Sequence, residues 1–165
     1  MAREATARLY DVDAETIAFK RFNKTGKYDI GTVTFRAKPG KLIDLDKLHE
    51  SVWATRLSGG TSSGLVSLEV TVAGTIVVGE KETALKVAGA EPEFVLAQNP
   101  EADFKNAFDE LKAALERGEK ATSVSGRLDG WSGRWPEMLK KLPAKPRRIL
   151  VTRFEVMKNS ETKTP

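Results

Sequence analysis

The sequence predicts an α+β fold: a five-stranded β-barrel built in the order β-β-β-α-β-β, preceded by an N-terminal strand–helix extension. Three observations predict it. Between Leu65 and Val156, three runs of alternating apolar residues are followed by one amphipathic helix and two further alternating runs. Gly74 and Gly126 interrupt two of these runs where a barrel strand must bend sharply. The 165 residues, 40% hydrophobic and 30% charged, suffice for one domain or two small ones with a core that needs no staple. The expected division is 1–64 for the extension, 65–157 for the barrel and 158–165 for a polar, disordered tail.

Residues 1–14 show little pattern and are expected to drape over the surface or fray. A short strand is expected at Thr16–Phe22, followed by a turn at Asn23-Lys24-Thr25-Gly26. From Ile30, the alternation of Val33, Phe35 and Ala37 with polar neighbours is the period-two signature of a half-buried strand, closed by Pro39-Gly40. Asp44 is a good helix N-cap, and Asp46 sits in the first turn where the helix dipole favours negative charge. Leu45, Leu48, Val52 and Leu57 follow at helical spacing, which places a helix over about 44–57. The stretch Ser58–Gly64 then reads as a flexible connector.

Leu65–Val78 puts Leu68, Val70, Val72 and Ile76 on one face, with Gly74 as a corner. Gly79-Glu80-Lys81 turns the chain into Thr83–Ala88, and Gly89–Pro92 turns it again into Phe94-Val-Leu96. Asn99-Pro100-Glu101 combines a capping side chain, a preorganised first residue and an early acid. Phe104, Phe108, Leu111 and Leu115 then form one stripe that Gly118 terminates. Ala121–Asp129 and Arg148–Val156 complete the barrel strands.

The residues Val70-Thr-Val-Ala-Gly74-Thr-Ile-Val, Ala84-Leu-Lys-Val-Ala-Gly89, Phe94-Val-Leu, the helix, Thr122-Ser-Val-Ser-Gly126-Arg-Leu and Ile149-Leu-Val-Thr-Arg-Phe154 together resemble small bacterial OB-fold modules. The resemblance covers a little over half the chain. The strand and helix over Thr32–Arg56 resemble the opening half of a ferredoxin-like, heavy-metal-associated domain. Such domains carry a Cys-x-x-Cys pair in the connecting loop, where this chain has Lys38-Pro-Gly-Lys-Leu-Ile, so no metal-carrier role is expected. A ferredoxin-like sandwich, with both helices covering one antiparallel sheet, is the alternative architecture.

Several chemistries fall away. The absence of cysteine removes thiolate nucleophiles, disulfides and zinc ribbons while leaving the compartment open. No apolar stretch approaches the length of a membrane span, and Met-Ala-Arg-Glu-Ala lacks the apolar core of a signal peptide, as a mature exported protein also would. The one histidine, His49, stands mid-helix with no nucleophile in its sequence neighbourhood, so we expect a partly buried helix residue and no catalysis. Asp44, Asp46 and Glu50 share that helix, but they serve as first-turn and surface charges as readily as metal ligands. The glycine-rich Ser58–Gly64 stretch leaves a helix C-terminus and enters a strand, the opposite polarity to a phosphate loop, and lacks the Gly-Lys-Ser/Thr ending. Neither a catalytic residue, a metal site nor a cofactor is expected.

Charge is uneven. Residues 16–42 carry seven basic side chains against one acidic and 131–158 eight against two, whereas 43–130 carries nine basic and fifteen acidic. The basic flanks would bind polyanions if they met in space, or would simply keep strand edges soluble. One constellation stands out: Trp131, Arg134 and Trp135, followed by Lys140, Lys141, Lys145, Arg147 and Arg148. In an OB barrel this is the connection between the fourth and fifth strands, one of two loops that grip ligands. Its indoles would stack on a partner, or would plug the barrel end with Met138, Leu139 and Leu142. The expected outward positions Ala84, Lys86, Ala88, Glu93, Val95 and Ala97 include no aromatic platform for bases. The expectation is therefore a non-catalytic interaction or assembly module whose partner is another protein or a second copy. Its contacts would be Trp131, Arg134, Trp135, Arg147, Arg148 and strand edges; the alternative is single-stranded nucleic-acid or polyanion binding.

Overall fold

The structure is a computed structural model describing residues 2–21, 31–56, 60, 64–87, 94–130 and 142–157. The chain is α+β with mostly strands: α1 (Ala2–Ala7), β1 (Val12–Arg21), β2 (Gly31–Ala37), α2 (Leu45–Ala54), β3 (Glu69–Ala73), β4 (Thr75–Val78), β5 (Thr83–Lys86), β6 (Phe94–Ala97), α3 (Ala107–Glu116), β7 (Lys120–Leu128) and β8 (Arg147–Met157). It divides into two compact units. Among the described residues, the first holds those up to Val66 together with Leu142, and the second those from Ser67 to Gly130 and from Pro143 to Met157.

In the first unit β1 and β2 form a two-stranded antiparallel ribbon, pairing Val12 with Ala37 and Phe19 with Val33. The register shifts between Asp13 and Ala18. There the Thr16 hydroxyl takes over the ladder's role, donating to the Asp13 carbonyl at 2.7 Å and accepting from the Arg36 N–H at 2.9 Å. The predicted alternation holds in β2, where Val33, Phe35 and Ala37 are half-buried between exposed neighbours. A two-stranded ribbon is marginal by itself. Its support comes from apolar residues on the helices, since Ala5 of α1 and Leu45, Leu48 and Val52 of α2 are buried along with Val12 and Ile17.

Residues 2–7 are helical rather than draped, with Ala5 and Thr6 fully buried and the Ser51 hydroxyl donating to the Ala5 carbonyl at 2.8 Å. A six-residue helix whose buried side chains are this small leaves no apolar stripe to read. On α2, Asp44 caps as expected, its Oδ1 accepting from the N–H groups of Asp46 and Lys47 at 3.1 Å each. His49 is buried on the same helix, the structural position expected of it.

Burial alone would raise the Asp44 pKa, but the Lys47 N–H, the Lys47 charge and the Asp46 N–H stabilise the carboxylate more and leave it below 3.8. A depressed carboxyl pKa stabilises the fold above the unfolded value, and that contribution disappears as pH falls through the folded value. Asp44→Ala is therefore expected to cost about 1 kcal/mol at pH 7. Urea melts of mutant and wild type should converge as the pH falls below 3.8; a constant gap across that range would show that the cap is not the cause.

The second unit contains a six-stranded mixed sheet of order β3-β7-β8-β6-β5-β4. Its pairs are antiparallel except β6 with β8, which run parallel and match Phe94 with Arg147 and Leu96 with Ile149. The alternative of one antiparallel sheet under both helices therefore fails: the sheet is mixed, and α2 belongs to the first unit. Of the positions predicted on the inward face, Leu68, Val72, Leu85, Val124 and Leu128 are buried, whereas Val70, Ile76 and Val87 are only half-buried; Phe94, Leu96, Ile149 and Val151 are buried as well. Each such side chain contributes roughly 1.5–3 kcal/mol of apolar burial.

Two bulges shape the β7–β8 pair. Thr152 and Thr122 are the extra residues, and each hydroxyl supplies a bond to the facing strand, Thr152 Oγ1 to the Ser125 carbonyl at 3.1 Å and Thr122 Oγ1 to the Glu155 carbonyl at 3.3 Å. Gly74 separates β3 from β4, and a Cβ there would run into the Lys86 carbonyl.

α3 starts seven residues later than Asn99-Pro-Glu predicts. Asn99 does cap, its Oδ1 accepting from the Glu101 N–H at 3.0 Å. The next turns, however, close as three-residue steps, Phe104 N–H to the Glu101 carbonyl and Ala107 N–H to the Phe104 carbonyl, each at 3.0 Å. Gln98 Nε2 meanwhile takes the Lys105 carbonyl at 2.5 Å, and α-type bonding begins only with Glu110 N–H to Asn106 O.

Candidate functional site

The second unit carries an open groove of about 660 Å³. Its floor is the outer side of β6, Val95 and Ala97, beside Arg148 of β8, which pairs with Val95 in the parallel register. One end is the β4–β5 turn Gly79–Glu82, held by the Gly79 N–H donating to the Glu82 carbonyl at 2.9 Å. One wall is α3, where Lys112 lies 4.6 Å from the centre of the Phe108 ring and 3.7 Å from Asp109 Oδ1. Gln98 joins floor to wall by reaching the Lys105 carbonyl and, at 3.3 Å, Asp109 Oδ2. At the other end Pro146 and Arg148 mark where the chain enters β8.

The charged lining carries both signs, Glu80 and Glu82 against Lys81, Lys112 and Arg148. Among the described lining residues the one aromatic ring is Phe108, half-buried under Lys112. A smaller hollow of about 220 Å³ adjoins the groove, sharing Val78 and Lys112 and adding Leu115 and Glu116.

The predicted contact residues divide. Arg148 is exposed and lines the groove, its Nη1 3.3 Å from Asp129 Oδ2. Arg147 does not belong to a contact surface: it is 2% exposed, and its Nε donates to the Pro143 carbonyl at 3.1 Å. Adjacent strand residues face opposite sides, so one arginine of the pair points outward and the other inward. Trp131, Arg134 and Trp135, with Lys140 and Lys141, lie outside the described residues. Sequence reasoning placed the Gly79-Glu80-Lys81 turn and the helix that carries Phe108 but assigned neither to the site. The alternation of β6 was the available signal, but of its expected outward positions Val95 is half-buried and Ala97 is buried.

Among the described residues no three metal-ligating side chains gather, and no helix is long and apolar enough to cross a membrane. Comparison with protein-family models, curated proteins and solved structures finds no match.

Proposed function

We propose that the second unit is an OB-type module acting as a non-catalytic docking domain for another protein, with the β6–β8 groove as its contact surface; on sequence grounds alone Trp131, Arg134 and Trp135, which lie outside the described residues, are further candidate contacts. The architectural part rests on the pairing around Gly74. Taken as one strand bent at that glycine, residues 69–78 pair through their first half with β7 and through their second half with β5, so the two edges of the sheet are halves of a single run. With the helix between the third and fourth strands, this agrees with a five-stranded, partly open Greek-key barrel. One end of the groove is the β4–β5 turn, which corresponds to one of the loops with which such barrels take ligands.

The observation that carries the functional reading is the groove's lining: charges of both signs over an aliphatic floor, with Phe108 the one aromatic side chain among the described lining residues and Lys112 lying over it. Peptides selected from a random displayed library against the whole protein provide the test. Arg148→Ala should weaken the selected peptides about tenfold while leaving Tm nearly unchanged, since an exposed Arg–Asp pair contributes only about 0–1 kcal/mol. Trp131→Ala with Trp135→Ala should weaken them in the same way. Selected peptides indifferent to all three substitutions would remove this surface from consideration. A labelled single-stranded oligonucleotide should not bind even at low salt; saturable binding that weakens steeply with added salt would favour the polyanion reading.

A further inference from the structure

Among the described residues β4 is an edge strand that pairs with β5 alone, and Thr75-Ile-Val-Val78 carries no charge or proline of the kind that guards exposed edges. The bond from Gly79 N–H to Glu82 O makes these two a hydrogen-bonded pair. By antiparallel alternation, Val77 and Thr75 then turn their main-chain groups toward β5, whereas Ile76 and Val78 turn theirs outward. Val78 is 57% exposed and Val77 39%, unusually high for aliphatic residues of a strand. The 220 Å³ hollow beside Val78, bounded by Lys112, Leu115 and Glu116, is lined mainly by apolar surface and has room for an aliphatic side chain.

Glu80, Glu82 and Glu116 make no ion pair among the described residues. Lys112 is engaged by Asp109 and the Phe108 ring, and Lys81 of the turn and Lys86, which pairs with Thr75, are the other described basic residues of the β4–β5 hairpin. We infer that the β4 edge accepts an extended segment of a partner protein as an added strand, an aliphatic side chain entering the hollow and basic residues on either side meeting Glu80, Glu82 and Glu116. The inference deepens the docking-module reading and rests on it, by assigning the partner's conformation and charge. Main-chain bonds to Ile76 and Val78 supply affinity, while hollow and carboxylates supply selectivity.

The test uses the whole protein and a capped, fluorescent nonapeptide in which valine alternates with lysine, followed by anisotropy. Saturable binding is expected. It should fall at least tenfold when alternate peptide nitrogens are methylated, and by a similar factor when glutamate replaces the lysines. In the protein, Val78→Pro removes an outward donor without touching the β5 ladder, so it should abolish binding with little change in Tm. Glu116→Lys should weaken the lysine peptide severalfold, and amide exchange at Ile76 and Val78 should slow in the complex. Equal binding of the methylated peptide, or no slowing at these two amides, would overturn strand addition. Concentration-dependent self-association of the protein that Val78→Pro abolishes would overturn the partner assignment, because a second copy would then occupy the edge. Loss of strand addition while library peptides still respond to Arg148→Ala would leave the docking reading standing.

Discussion

Gly126→Ala is expected to lower the stability of the second unit by about 3 kcal/mol or more, near the upper end for a single added methyl group. Gly126 is a buried position of β7 facing Val151 of β8. A Cβ there would run into the Leu150 carbonyl, with the Leu150 carbonyl carbon at 2.9 Å and Ile149 Cγ2 at 2.5 Å. Two of these neighbours are backbone atoms of a central strand, and the third belongs to a fully buried side chain. None can yield without parting β7 from β8. The denaturant midpoint should fall while the slope stays constant. Gly40→Ala provides the contrast. Its φ of +71° disfavours a side chain, but no atom lies within 4 Å of the added carbon. That loss should be about 1 kcal/mol. Equal effects at the two sites would mean that close backbone approach is not what requires Gly126.

Arg147→Ala is the second large expected effect, a loss of roughly 2–4 kcal/mol that leaves peptide binding by the surviving folded protein unchanged. Truncation removes the donor to the Pro143 carbonyl and the packed stem of a side chain that is almost wholly buried. Arg148→Ala should do the reverse, leaving Tm near wild type and weakening binding. Equilibrium melts and binding isotherms on the two mutants therefore form a crossed pair, and a shared phenotype would contradict the opposite orientations of these side chains.

That crossed pair marks the boundary of what sequence could disclose. A run of basic residues announces charge, yet strand geometry sends Arg147 inward and Arg148 outward, and the parity depends on pairing with Phe94 and Val95 far away in the chain. Local pattern worked where a segment meets its core on one side. Val33, Phe35 and Ala37 show their alternation directly, Leu68 and Val72 take buried positions before the break at Gly74, and Asp44 caps α2. It worked less well where small side chains or nonlocal bonds decide. Ala5 and Thr6 bury α1 without a periodic stripe, and Gln98 ties down the Lys105 carbonyl where a full α-helical start was expected. The groove was the hardest to foresee, because its floor, wall and ends come from four separate segments.

The sheet's connectivity also bears on how quickly the native state can be reached. β3 zips onto β7, bringing Glu69 opposite Arg127, and β6 lies along β8, bringing Phe94 opposite Arg147. Both junctions join stretches remote along the chain, so chain entropy must be surrendered before either is rewarded. Refolding of this unit should accordingly fall in the slow millisecond-to-second range characteristic of nonlocal β architectures. Until β8 arrives between β7 and β6, the two ribbons on either side of it stay unmated, so the strand at the middle of the sheet is the one that completes it.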